Sequence, residues 1–249
     1  MQIQVERIDL RFPLNLLVRG VEVIQQPDTL LSLESLNVRV QAWPLLKGKV
    51  EVDEVTLSQV AVNSANLIEG MQIKGVLGRF FLQSHGVDLS NETAVVNRTE
   101  LSDTHIQLLM TDTTTTPKDT TASAPVNWKV NLHQLKLKNV SFGMKLPADS
   151  MKMAAYIGEA TIDDAKADLK NQFYGLKQFL LSGASASYDT GEAQPSEGFD
   201  ASHMAVRNIR IGLDSLLYEG RNMNAVIREI TMEERSGLSI TSLTGRLFS

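Results

Sequence analysis

Trp128–Met144 reads WKVNLHQLKLKNVSFGM, with apolar residues at Val130, Leu132, Leu135, Leu137, Val140, Phe142 and Met144. A helix places apolar side chains three and four apart, whereas a strand with one dry face places them two apart. Here the step is two, broken twice by a three, between Leu132 and Leu135 and between Leu137 and Val140. Such a slip is the expected signature of a β-bulge, in which one extra residue bends and twists the strand while its apolar face is kept.

The same slipped spacing recurs along the chain. It runs through Ile3, Val5, Ile8, Leu10 and Phe12, through Leu31, Leu33, Leu36, Val38 and Val40, and through Val50, Val52, Val55, Leu57, Val60 and Val62. It returns in Met204, Val206, Ile209, Ile211 and Leu213, in Met223, Ala225, Ile227, Ile230 and Met232, and in Leu238, Ile240 and Leu243. Turn-forming residues separate the units: Gly20, Pro27-Asp28, Pro44 with Gly48, Gly86, Pro147, Glu197-Gly198 and Ser236-Gly237. Short connections favour antiparallel neighbours, because parallel pairs need a crossover of a dozen residues or more. An antiparallel meander of strands about nine residues long is therefore expected. The Thr- and Asp-rich tract 112–125 carries no large apolar residue and reads as a disordered loop between β segments 1–111 and 126–249. Within 165–181, Leu169, Phe173, Leu176 and Leu180 fit an edge helix. Tyr174, Leu176, Phe179, Leu181, Ala184 and Ala186 fit a further slipped strand, the reading that agrees with every other unit.

Composition narrows the classes of function. A net charge of −5 over 249 residues, without a Lys/Arg cluster, argues against a nucleic-acid partner. With no cysteine there is neither a disulfide framework nor a thiolate metal site. No run reaches the roughly 18 apolar residues of a membrane span. Met1 opens directly into strand-like sequence without a signal-peptide pattern, and the end stops within a strand pattern, as expected of an excised fragment.

Catalytic and cofactor motifs are missing from the sequence. Gly70 and Gly75 have the spacing of a phosphate loop, but Val76 and Leu77 stand where Lys and Ser/Thr are required. His85, His105, His133 and His203 are scattered singly, and the acid pairs Asp163-Asp164 and Glu233-Glu234 lie near expected turns. The expectation is a non-enzymatic protein without metal or cofactor. Three Asn sequons, at Asn91, Asn97 and Asn139, are consistent with chance in a Thr- and Asn-rich β protein. Asp followed by Ser or Thr and then an apolar residue or Thr recurs, with hydroxyls at Thr29, Thr113, Thr120, Ser150 and Ser215. This pattern resembles the O-glycosylation site of exported proteins in Bacteroides-type bacteria, and turn chemistry alone also produces it.

The stretch Leu31–Val62, LSLESLNVRVQAWPLLKGKVEVDEVTLSQVAV, resembles the AsmA/TamB superfamily: an apolar strand leads into the step Pro44, Leu45, Leu46 and Gly48, then an acidic-apolar strand. FPLNLLVRGV from Phe12, VLGRFFLQSHGVDLS from Val76, AAYIGEATI from Ala154 and SGLSITSLTG from Ser236 are similar to TamB proteins of the Bacteroidota. The resemblance implies an all-β, elongated, curved antiparallel sheet with little helix that forms an open, apolar-lined groove. It also implies a periplasmic protein, anchored in the inner membrane by a helix outside this sequence. That protein would move phospholipid toward the outer membrane and, through a C-terminal region also outside it, meet an Omp85-family barrel in outer-membrane protein assembly. The residues expected to line the groove are Val5, Ile8, Leu10, Leu33, Leu36, Val38, Val40, Val52, Val55, Leu57, Val130, Leu132, Leu135, Leu137, Val206, Ile209, Ile211, Ile227 and Ile230. A closed β-sandwich would show the same one-sided strands, and a scaffold or adhesin binding protein along its edges is the alternative function.

Overall fold

Alternation at period two produces strands throughout. The computed structural model describes all residues except 13, 46–50, 66, 89–90, 112–126 and 192–193, with no side-chain description at 44, 45 and 87. The strands are β1 (Gln2–Arg11), β2 (Asn15–Gln25), β3 (Asp28–Val40), β4 (Val52–Asn63), β5 (Met71–Asp88), β6 (Thr93–Met110) and β7 (Lys129–Leu146). They continue as β8 (Met151–Asp168), β9 (Phe173–Leu176), β10 (Gln178–Asp189), β11 (His203–Glu219), β12 (Asn222–Glu234) and β13 (Ser239–Phe248). One helical turn, α1 (Ala42–Leu45), and a 3-10 turn at Pro147–Asp149 are the helical elements among the described residues. All thirteen strands join one sheet in chain order, with β9 set off the main path between β8 and β11.

Two expectations are corrected. The sheet is antiparallel except at its middle, where β6 and β7 pair in parallel, Thr93 opposite Lys129 and Leu109 opposite Lys145. The 18 residues between these strands, Thr111 to Trp128, meet the length a parallel crossover requires. The disordered loop expected at 112–125 lies outside the described residues. The strands are also longer than expected. β5 to β8 each run 18 residues, and Gly20 and Gly86 lie inside β2 and β5 instead of ending strands. The 165–181 window is extended, with β8, β9 and β10 broken by a turn after Asp168 and by Lys177.

The three-step slips coincide across neighbouring strands. Leu33 faces Val60 and Ser35 faces Ser58, while Glu34 and Gln59 between them are skipped and pairing resumes in the same register. The skipped position continues through Glu6 and Gly20 on one side and through Gly78, Asp103, Asn139 and Gly158 on the other. Gly20, Gln59, Asp103 and Asn139 have φ of 59°, 49°, 51° and 53°. A residue in the left-handed region breaks strict alternation. From β1 to β8 every strand slips in this row, so none of them gains a residue over its neighbour there. Over these strands it is an aligned crease, and not the isolated bulge expected at a slip. Where β10 to β13 meet, the slips at Leu181–Ala184, Val206–Ile209, Ile227–Ile230 and Ile240–Leu243 do carry the register shifts expected of β-bulges.

The crease keeps each side chain on its own face. Arg207 faces Glu233 and Arg210 faces Thr231, and the two β12 residues stand two apart in unbroken alternation. Arg207 and Arg210, three apart, therefore share a face, and Val206 and Ile211 share the other. Cross-strand partners carry this assignment back from β11 to β1.

The sheet has no second layer among the described residues. Its substantial strand contacts are all between hydrogen-bonded neighbours. The accessible surface is 16267 Å², against roughly 11,000 Å² for a compact monomer of this mass. Among the described residues the buried hydrophobic ones are Leu30, Ala94, Ala160, Ala184 and Ala225, and none of their side chains is fully buried.

Candidate functional site

Cross-strand pairing turns the slipped spacing into rows perpendicular to the strands. Ile8, Val18, Leu36, Leu57, Phe80, Leu101, Leu137, Ala160, Leu181, Ile211, Ile230 and Leu243 are successive partners from β1 to β13. Every member is apolar. One pleat away run Leu10, Leu16, Val38, Val55, Leu82, Thr99, Leu135, Ile162, Phe179, Leu213 and Ile227, with Thr99 the one polar member. Across the crease Val5, Val21, Leu33, Val60, Leu77, Thr104, Val140 and Ile157 form a third row. At about 4.8 Å per strand, the first row is roughly 50 Å long.

These rows gather most of the lining set expected from sequence. Leu10, Val38, Val55, Leu135 and Ile227 share one row, Ile8, Leu36, Leu57, Leu137, Ile211 and Ile230 another, and Val5 and Leu33 the third. The remainder flank them. Val40 pairs with Val52, Val130 and Leu132 pair with Ala94 and Val96, and Ile209 and Val206 pair with Ala184 and Ala186. The expected lining set left out the contributions of β2, β5, β6, β8, β10 and β13. The signal was present, since Leu77, Phe80 and Leu82 carry the same slip, as do Ile157, Ala160 and Ile162. Within the sheet these side chains are half-buried, while at the β1 edge Ile8 and Leu10 are 63% and 73% exposed.

The opposite face is polar. Arg7, Arg19, Ser35, Ser58, Arg79, Ser102, Lys138, Glu159 and Ser182 form one of its rows. Arg79 and Arg98 each stand 5.9 Å from the Phe81 ring centroid, and Arg39 pairs with Asp53 at 3.2 Å and Glu54 at 3.0 Å. A trough of about 950 Å³ lies on this face, spanning β5 to β11 beyond the crease. A twisted sheet is saddle-shaped, so each face is concave along one diagonal. Of the expected lining residues only Val206 borders this trough.

His85 is exposed, while the other three histidines and several acids are held by neighbouring side chains and amides. His105 bonds the Ser141 hydroxyl and lies 2.9 Å from the Gln107 amide nitrogen, and buried His203 meets Asp200 at 3.0 Å. Hydrogen bonds from Lys177 at 2.7 Å and His133 at 3.0 Å hold the Asp164 carboxyl below its ordinary value. Asp200 accepts bonds from the Ser196 amide at 3.0 Å, from His203 and from the Ser202 amide at 2.9 Å, and is held well below the usual carboxylate range. Ser236 and the Ala205 amide lower Glu234 in the same way. Among the described residues no three acids or histidines stand close enough to share a metal ion, and no helix is long and apolar enough to cross a membrane. Of the Asp-Ser/Thr hydroxyls, Thr29 is the exposed second residue of β3, Ser150 follows the 3-10 turn with φ 48°, and Ser215 lies half-buried in β11. Thr113 and Thr120 lie outside the described residues.

No family model matches the chain, and no curated protein matches it.

Proposed function

We propose that this chain is the periplasmic part of a TamB-like protein anchored in the inner membrane, and that its apolar face carries phospholipid acyl chains between the inner and outer membranes. In the same reading, regions beyond this sequence support outer-membrane protein assembly with an Omp85-family barrel. The observation that carries the reading is the twelve-strand row from Ile8 to Leu243, uninterrupted by any charge or hydrogen-bonding side chain. A diacyl lipid exposes about thirty methylenes, and at about 0.8 kcal/mol each, keeping them dry is worth on the order of 24 kcal/mol. A row roughly 50 Å long offers a sliding acyl chain the same surface at every strand, so passage needs no titrating group or nucleotide. Direction comes from elsewhere in the assembly.

The test is organic extraction of protein purified from its native envelope, followed by mass spectrometry of the extract. Co-purifying phospholipid, with uptake of a fluorescent lipid by emptied protein, is the expected outcome. Clean extracts with no uptake overturn the reading in favour of a scaffold or adhesin, which the exposed β1 edge would serve by strand addition. The proposed glycans at the Asp-Ser/Thr sites are tested separately by intact mass, where the bare polypeptide mass refutes them.

A further inference from the structure

We propose that the trough on the polar face is a binding site for a phosphate-bearing anion, separate from the apolar rows. Its floor is a row of small residues. Gly143, Ala154, Ser187 and Ala205 are successive cross-strand partners in β7, β8, β10 and β11, and four short side chains in register leave the hollow of about 950 Å³ above them. Nothing in the backbone demands Gly143 there, because a Cβ at that position would meet no atom closer than 3.9 Å.

The rim is cationic. Lys74, Lys145, Lys152, Arg207 and Arg235 border the trough against one carboxylate, Asp189, although the chain as a whole carries −5. Arg207 is paired with Glu233 at 3.2 Å. Lys74, Lys145, Lys152 and Arg235 take part in none of the ion pairs among the described residues. Lys145 and Lys152 stand directly opposite each other across β7 and β8. Like charges in that position repel and destabilise a sheet, and an anion between them relieves the repulsion. Ammonium groups on flexible stems suit a phosphate as point charges, and the Gly/Ala floor suits an uncharged body beneath it.

Two sources share this chemistry, a phospholipid headgroup and a soluble phosphate ester. Calorimetric titration of the whole chain with dihexanoyl phosphatidylglycerol, dihexanoyl phosphatidylcholine and glycerol phosphate, alongside amide NMR shifts, distinguishes them. Phosphatidylglycerol is expected to shift the Ser141–Lys145 amides and to bind at least tenfold more tightly than phosphatidylcholine. Its affinity should fall at least tenfold in Lys145→Gln/Lys152→Gln and in Gly143→Leu, and by less than twofold in Lys138→Gln, a cation on the same face across the crease. Glycerol phosphate binding as tightly as the lipid assigns the site to soluble esters, and much weaker binding assigns it to headgroups; either supports a phosphate site. Equal affinity for the two lipids, affinity untouched by both trough variants, or no binding of any probe overturns it.

Discussion

At the crease, single residues carry opposite constraints in adjacent strands. Gln59 and Asn139 sit in the left-handed region, at φ 49° and 53°, which costs a residue with a Cβ about 1–2 kcal/mol. Gln59→Gly should therefore gain about 1 kcal/mol in urea unfolding, and Asn139→Gly less, since it also loses the 2.8 Å amide bond to Asp103. Gly78 works the other way, because a Cβ there would lie 2.7 Å from the Asp103 Cβ and 2.9 Å from its carbonyl oxygen. Gly78→Ala should cost about 1–3 kcal/mol; changes of like sign at Gln59 and Gly78 would refute this account of the crease. Asp200 gives a pH signature. Its folded pKa is depressed, so the stability it contributes is complete above the unfolded carboxylate value near 3.9 and drains as pH falls toward the folded one. The stability lost between pH 6 and pH 3 should be smaller in Asp200→Asn than in the parent, and an identical loss by thermal melting would count against it. The slip that locates these residues was visible in the sequence as a step of three. Its alignment into one row was not, because register depends on pairing between distant segments.

The period-two pattern identified the strands and favoured an extended 173–188 over a helix. It misplaced their ends at Gly20 and Gly86, since a glycine reads as a turn unless pairing reveals that Gly20 sits in the crease and Gly86 at a register shift between β5 and β6. Nor could it reveal that β6 and β7 run parallel, because the residues joining them carry no apolar periodicity. Pairing also decides which strands lie at the edge. β1 pairs only with β2, and nearly all of its residues are exposed. A free strand edge with apolar side chains is a template for association. Ile8→Lys/Leu10→Lys should reduce concentration-dependent self-association in sedimentation velocity and leave the melting temperature within about 2 °C, since exposed positions contribute little to stability. Unchanged association would move the contact to β13 or to the apolar face.

For the whole molecule, the apolar face either faces solvent and ligand or packs within a closed core, and a buried charge separates the two. The sandwich equally compatible with the sequence pattern would enclose Val38 and Leu135 between two layers, where an unpaired carboxylate costs about 3–5 kcal/mol and unfolds a marginal domain. In the single sheet both residues are only half-buried, neighbours in the second apolar row through Val55, Leu82 and Thr99. A charge there keeps access to water, so Val38→Asp and Leu135→Asp should each cost less than about 2 kcal/mol and retain one cooperative melt. The same variants interrupt the row that an acyl chain would follow. If the face carries lipid, fluorescent fatty-acyl uptake should fall at least tenfold in a protein that remains folded by circular dichroism. Loss of the fold would point to a layer covering the face, and full uptake by a folded variant would take acyl binding away from these rows.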